Sequence, residues 1–214
     1  YIPHAVDYDI FKKWPEDDLV KFKQDHLEEK SMDRMIFFWN NRNARRKQSG
    51  TLIFWFNEFA KQVGPDNVCL LMHTDPKDPH GQDLEYIINE LDIADGRIML
   101  SKNKIPSDLL SGMYNIAACT INISDAEGFG LATLESLSCE TPILVNMTGG
   151  LQEQVTDGEE WFGIGLEPAS KAIIGSQQVP YIYEDRLNKE DFIEALHKIY
   201  NMSKEERSAL GKKG

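Results

Sequence analysis

Two glutamates, Glu127 and Glu135, bracket the stretch where this sequence concentrates its chemistry, Glu127-Gly128-Phe129-Gly130-Leu131-Ala132-Thr133-Leu134-Glu135. Residues 119–123 before it are apolar and β-branched, the composition of a buried strand, and residues 131–139 after it have helical apolar spacing. The reading is strand, glycine-bearing turn, helix, with one carboxylate at the turn and the other roughly two turns further along. Glycines let backbone approach a ligand closely, and the first N–H groups of a helix have no partner within it. Such a turn suits an anion, and a diphosphate is the natural guest. The carboxylates then accept hydrogen bonds from hydroxyls flanking that anion, which a sugar and a ribose supply. A second cluster, Arg42, Arg45, Arg46 and Lys47, follows directly after an apolar run at residues 35–39. Cations there suit a diphosphate too, Arg through its planar fork and Lys as a point charge.

These side chains must be held by a sheet. Strands are expected at 35–39, 68–72, 97–100, 119–123 and 142–146, with further ones at 161–166 and 180–184. Helices are expected from 15 to 26, from an N-cap at Ser49 to 63, over 83–91, 106–117, 131–139 and 149–155, and from 188 to 200. A last helix opens at Ser203, whose capping box closes on Glu206. Strands buried on both faces and alternating with helices mean a parallel α/β sheet, and ligands of such sheets bind beyond the carboxyl ends of the strands. Residues 169–183 interrupt the alternation and read as an ordered insertion packed near the cleft, without a role. Trp39, Trp55 and Trp161 read as core. His73, at a strand end, reads as an ordinary loop histidine, and Asp7-Tyr8-Asp9 as surface charge.

With a formal net charge of -12 over 214 residues, the surface as a whole repels nucleic acid and anionic lipid. Cys69, Cys119 and Cys139 lie far apart in apolar surroundings, with no C-x-x-C or zinc spacing, and read as reduced core thiols. No apolar run approaches the ~20 residues of a membrane span. The expectation is a soluble cytoplasmic protein without a transmembrane segment. The chain opens on Tyr1 and closes on Gly214 with no terminating element, which reads as a piece of a longer protein.

The central stretch also resembles the E-x7-E signature of retaining GT-B glycosyltransferases, family 4 (glycosyltransferase group 1). The resemblance is strengthened by Thr141-Pro142-Ile143-Leu144-Val145 and by Gly149-Gly150-Leu151-x-Glu153. It covers most of residues 1–155 and resumes loosely at 188–214. It implies a Rossmann-like doubly wound parallel sheet, the C-terminal, donor-binding half of a GT-B fold over residues 31–214. Residues 1–30 are then a linker, since Ile2-Pro3-His4-Ala5-Val6-Asp7 is similar to the family's I-P-x-G-V-D entry phrase, with Ala5 for glycine. By the same resemblance Arg42 and Lys47 form the family's Arg-x4-Lys pair on the donor diphosphate, although Asn41 stands where a glycine is usual. Glu127 reaches the hydroxyls of the transferred sugar and Glu135 the ribose. The backbone of Gly128, Phe129, Gly130 and Leu131 faces phosphate and sugar, and the main chain of Lys104 and Ile105 meets the base. Glu127, Arg42 and Lys47 carry the catalytic burden. The implied reaction is retaining hexosyl transfer from a UDP-sugar or GDP-sugar, without metal or other cofactor. The acceptor and any membrane attachment are left to the missing N-terminal half. A non-catalytic nucleotide-sugar-binding module and a GT-B nucleotide-sugar epimerase are the alternative readings.

Overall fold

A computed structural model describes residues 4–214; Tyr1, Ile2 and Pro3 lie outside the described residues, so the first part of the entry phrase is not placed. Six parallel strands make the main sheet in the order β3-β2-β1-β4-β5-β6. They are β1 (Met35–Asn40), β2 (Val68–His73), β3 (Ile98–Ser101), β4 (Cys119–Asn122), β5 (Ile143–Asn146) and β6 (Gly163–Leu166). Around them run helices α1 (Glu16–His26), α2 (Ser49–Val63), α3 (Leu84–Glu90), α4 (Ser107–Ile116), α5 (Leu131–Ser138), α6 (Leu151–Val155), α7 (Lys189–Asn201) and α8 (Lys204–Lys213). This is the doubly wound α/β sheet expected from the sequence.

The two faces follow from the period of two in β1. Phe37 and Trp39 point to one layer, where α2 and α7 supply Leu52, Phe56, Phe59, Phe192 and Leu196. Ile36 and Phe38 point to the other, against Phe22 of α1 and Tyr114 of α4. Residues 4–30 therefore pack into this second layer, through Phe11, Leu19 and Phe22. Full burial of each such side chain contributes about 1.5–3 kcal/mol of transfer free energy, so β1 is anchored from both faces.

Three details differ from the sequence reading. The N-cap of α2 is Gln48, one residue before Ser49, because Arg45–Lys47 form a 3-10 turn and Gln48 takes a left-handed conformation (φ 57°). Ser49 instead donates through Oγ to Asn43 Oδ1 at 2.6 Å. Trp161 is 47% exposed rather than core, and Trp55 is only partly buried, packed at the margin of the core with its ring tilted against Phe192. The insertion contains a strand the sequence reading lacked: β7 (Ser170–Ile174) pairs antiparallel with β8 (Ile182–Arg186) in a separate hairpin. Its alternating exposed residues cover no core, so the usual apolar signal was weak.

Candidate nucleotide-sugar site

The chain runs β1, β2, β3 toward one edge and then returns to place β4 on the other side of β1. The loops leaving β1 and β4 therefore diverge at their carboxyl ends and leave a crevice between them, the usual ligand position in open α/β sheets. The first loop carries the basic cluster and the second carries Glu127. Their side chains meet there. Lys47 Nζ donates to Glu127 Oε2, and both side chains are more than nine-tenths buried. Arg46 Nη1 lies 3.6 Å from the same carboxylate oxygen and donates to Ala126 O at 2.5 Å. Burial pushes the Glu127 carboxyl up, but Lys47 and Arg46 outweigh it and leave it below its ordinary value. Burial lowers the Lys47 ammonium, and Glu127 offsets part of that.

The turn after β4 is shaped by the next loop. Gly149, at φ 50°, presses its Cα against the Glu127 carbonyl, where a side chain has no room. Gly150 N–H donates to Gly128 O at 3.2 Å. Gln154 of α6 donates to Phe129 O at 2.6 Å. Gly130, at φ 91°, opens α5, and exposed Leu131 begins its first turn. The family's glycine pair thus serves to mould the backbone at Glu127.

Glu135, on the next turns of α5, is held by different means. Tyr114 Oη donates to Glu135 Oε2 at 2.6 Å and accepts from Asn40 Nδ2 at 2.8 Å. Burial raises the Glu135 carboxyl, with the Tyr114 hydrogen bond pulling the other way. Neither Tyr114 nor Asn40 was singled out in the sequence. Tyr114 sits among apolar helix residues, and only the folded packing shows that its hydroxyl serves a carboxylate.

Other sequence-derived candidates are not gathered here. Arg42 turns to the loop after β2, where Nε donates to Asp78 Oδ2 at 2.6 Å and Nη2 lies 2.7 Å from His80 Nδ1. Arg42 and the His80 amide hold the Asp78 carboxyl well below its ordinary value. Arg46, which lies outside the Arg-x4-Lys pair, takes the place beside Lys47. Asn41 is not among the described non-glycine residues with positive φ, so its backbone takes no conformation that favours glycine. Lys104 is exposed, and half-buried Ile105 lines a cleft of about 710 Å³ along edge strand β3. His73 Nδ1 lies 2.9 Å from Ser101 Oγ, and burial lowers its pKa. Cys69, Cys119 and Cys139 are free and buried, and burial pushes Cys69 up to about 12 and Cys139 to about 11, which leaves both thiols protonated and inert. Among the described residues no three His, Cys, Asp or Glu side chains gather as a metal-holding group. Among the same residues no helix is long and apolar enough to cross a membrane.

Residues 21–214 match the family described as glycosyl transferases group 1. The chain belongs to that family. A D-inositol 3-phosphate glycosyltransferase of Thermomonospora curvata is 37% identical over 92 residues, which cover 42% of this chain and 21% of that relative. The C-terminal domain of LpcC, a glycosyl transferase group 1 protein of Francisella tularensis, superposes with a TM-score of 0.66 at 17% identity, over 98% of this chain and 95% of that one. HepE of Anabaena, solved with UDP and glucose, superposes with a TM-score of 0.70 at 14% identity, over 97% of this chain and 48% of that one. The fold is therefore that of a C-terminal GT-B domain. The chain spans less than half the length of the full relatives it matches.

Proposed function

We propose that this glycosyl transferases group 1 chain binds the donor, a nucleoside diphosphate sugar, for a retaining hexosyltransferase whose acceptor is bound by an N-terminal half. The observation that carries the reading is the buried Lys47–Glu127 pair, with Arg46 beside it, at the crevice between β1 and β4. A buried ion pair is a weak stabiliser, since desolvation offsets much of its attraction. It is well suited to exchange. An incoming diphosphate takes Lys47 and Arg46 as its cations and releases Glu127 to accept hydrogen bonds from the sugar hydroxyls. HepE, solved with UDP and glucose, shares the fold.

In the reaction the bond from the anomeric carbon to the diphosphate breaks, with its electron pair leaving on the diphosphate. The acceptor oxygen bonds to that carbon on the same face, and nucleoside diphosphate and a proton depart. Lys47, Arg46 and the N–H groups opening α5 meet the growing negative charge. Tyr114 occupies one oxygen of Glu135 and orients the other toward the ribose. The main chain at Lys104 and Ile105 receives the base, which leaves the choice between uridine and guanosine to backbone geometry. The charge is met without a metal, so added chelator leaves binding unchanged.

Calorimetric titration with UDP and GDP tests the reading. One nucleotide binds the wild type, and both Lys47→Ala and Glu135→Ala weaken it at least tenfold, the loss of one charge-assisted contact. Binding that neither substitution weakens overturns it.

A further inference from the structure

The hairpin formed by residues 170–186 is the part of the molecule the donor reading leaves unused, and its base meets the loops after β1, β4 and β5. The Glu184 carboxylate, 2% exposed, accepts from Arg45 Nη1 at 3.1 Å and from Arg186 Nη2 at 2.7 Å. Arg45 belongs to the basic loop after β1. Arg186 Nε in turn lies 3.3 Å from Asp125 Oδ2, in the loop after β4 that continues into Glu127. Asp185 N–H donates to Asp125 O at 2.7 Å, and Asp185 O accepts from Asn146 Nδ2 at 2.8 Å. Asp185 Oδ2 also accepts from Thr148 Oγ1 at 2.8 Å, next to the Gly149 that moulds Glu127. Three consecutive residues of β8 thus hold the loops after β1, β4 and β5.

The loops are also tied to each other through Asp125. Its N–H donates to Arg46 O at 2.8 Å, which sets the backbone one residue before Lys47. Its carboxylate accepts from Gln48 Nε2 at 2.5 Å, and Gln48 is the residue held in the left-handed region at φ 57°. A non-glycine residue there is uncommon and persists where its surroundings over-determine it. The tip, by contrast, makes its own turn, with Ser176 N–H donating to Val179 O at 2.8 Å and Tyr181 75% exposed. Among the described residues, no hydrogen bond of the tip reaches a site loop.

Resting on the donor reading, we propose that Glu184, Asp185 and Arg186 are positioning residues of the nucleotide-sugar site, bracing the three loops that carry Lys47, Glu127 and Gly149 so that the diphosphate meets its cations in place. They touch neither diphosphate nor sugar. Their effect is on the order imposed before the ligand arrives, and a catalytic or binding constellation loses much of its strength when it is loosely supported. The hairpin tip is dispensable for this role.

The test compares wild type, Glu184→Gln, Arg45→Gln and a tip variant lacking Gln177 and Gln178. Two readouts are used: amide hydrogen exchange at residues 45–48, 124–130 and 147–150, and the ratio of nucleoside diphosphate to nucleoside monophosphate affinity. In Glu184→Gln the three loops exchange faster, the melting temperature moves little, and the ratio falls about tenfold. Arg45→Gln, altering a largely exposed side chain, folds in any case and moves both readouts in the same direction by less. The tip variant matches wild type in both. Unchanged loop exchange in Glu184→Gln and Arg45→Gln overturns the brace. Where the wild type discriminates diphosphate from monophosphate and the variants do so equally well, the positioning role is overturned while the donor reading stands. A wild type that shows no diphosphate preference removes the donor reading, and with it the positioning role, whatever the exchange reports.

Discussion

The basic loop after β1 ends in two quite different places. At one end Arg42 is paired with Asp78 on the surface, its side chain 61% exposed. At the other, Lys47 is paired with Glu127 and its side chain is 8% exposed. The sequence presents the two as equals, and the fold does not. An exposed ion pair is screened by water and salt and holds its partners weakly. A buried one has lost its water, so neither partner can be removed without leaving an unpaired charge. The buried pair is the element around which the site is set, and the exposed pair leaves Arg42 free to exchange partners.

The largest expected effect is at the buried end. Lys47→Ala leaves the Glu127 carboxylate without its main partner and costs about 3–5 kcal/mol of stability, read by denaturant unfolding. Adding Glu127→Gln recovers most of the stability but none of the diphosphate binding; recovery of both would remove Glu127 from the site. The same pair predicts a pH dependence. Glu127 is depressed in the folded state, so its stabilisation is present above the unfolded carboxylate value and lost as pH falls through the lower folded one. Melting temperature against pH then shows a steeper acid limb for wild type than for the double variant.

Next in size is Tyr114→Phe, which removes the hydroxyl that orients Glu135 and costs about 1–2 kcal/mol of nucleotide affinity. The loss disappears with a 2′,3′-dideoxy nucleotide, which lacks the ribose hydroxyls. An equal loss for both nucleotides would show that Tyr114 supports only the packing of α4.

The smallest effect is at the exposed end. Arg42→Ala leaves the melting temperature unchanged and lowers diphosphate affinity by less than Lys47→Ala does. An affinity loss as large as that of Lys47→Ala would show that Arg42 leaves Asp78 when ligand binds, and would make the two ends of the loop equivalent after all.

Much of this architecture could be read residue by residue. The run Met35 to Trp39 is too apolar for a surface, and Pro106 and Ser203 mark helix starts by local chemistry that operates in any fold. The glycines at 128 and 130 marked a close backbone approach, the pair at 149 and 150 matched the family's glycine pair, and the structure places the second pair against the first turn. Less legible were features that depend on distant partners. Nothing local distinguishes Arg46 from Arg45, yet one faces Glu127 and the other Glu184. Ser49 is an ordinary N-cap residue, and it lost that place because Asp125, 76 positions further on, helps hold Gln48 in its left-handed turn.

The sequence by itself determined the strand–helix alternation, the two buried faces of the sheet, and the placing of a basic cluster and a glycine-bearing carboxylate turn after two of its strands. These rest on periodicity, capping and glycine freedom, which act over a few residues. Only the tertiary structure decided which cation pairs with Glu127, that Tyr114 serves Glu135, and that the β7–β8 hairpin braces the loops around them. Those choices depend on desolvated charges finding partners across the fold, and the order of the strands in the sheet decides which partners are within reach.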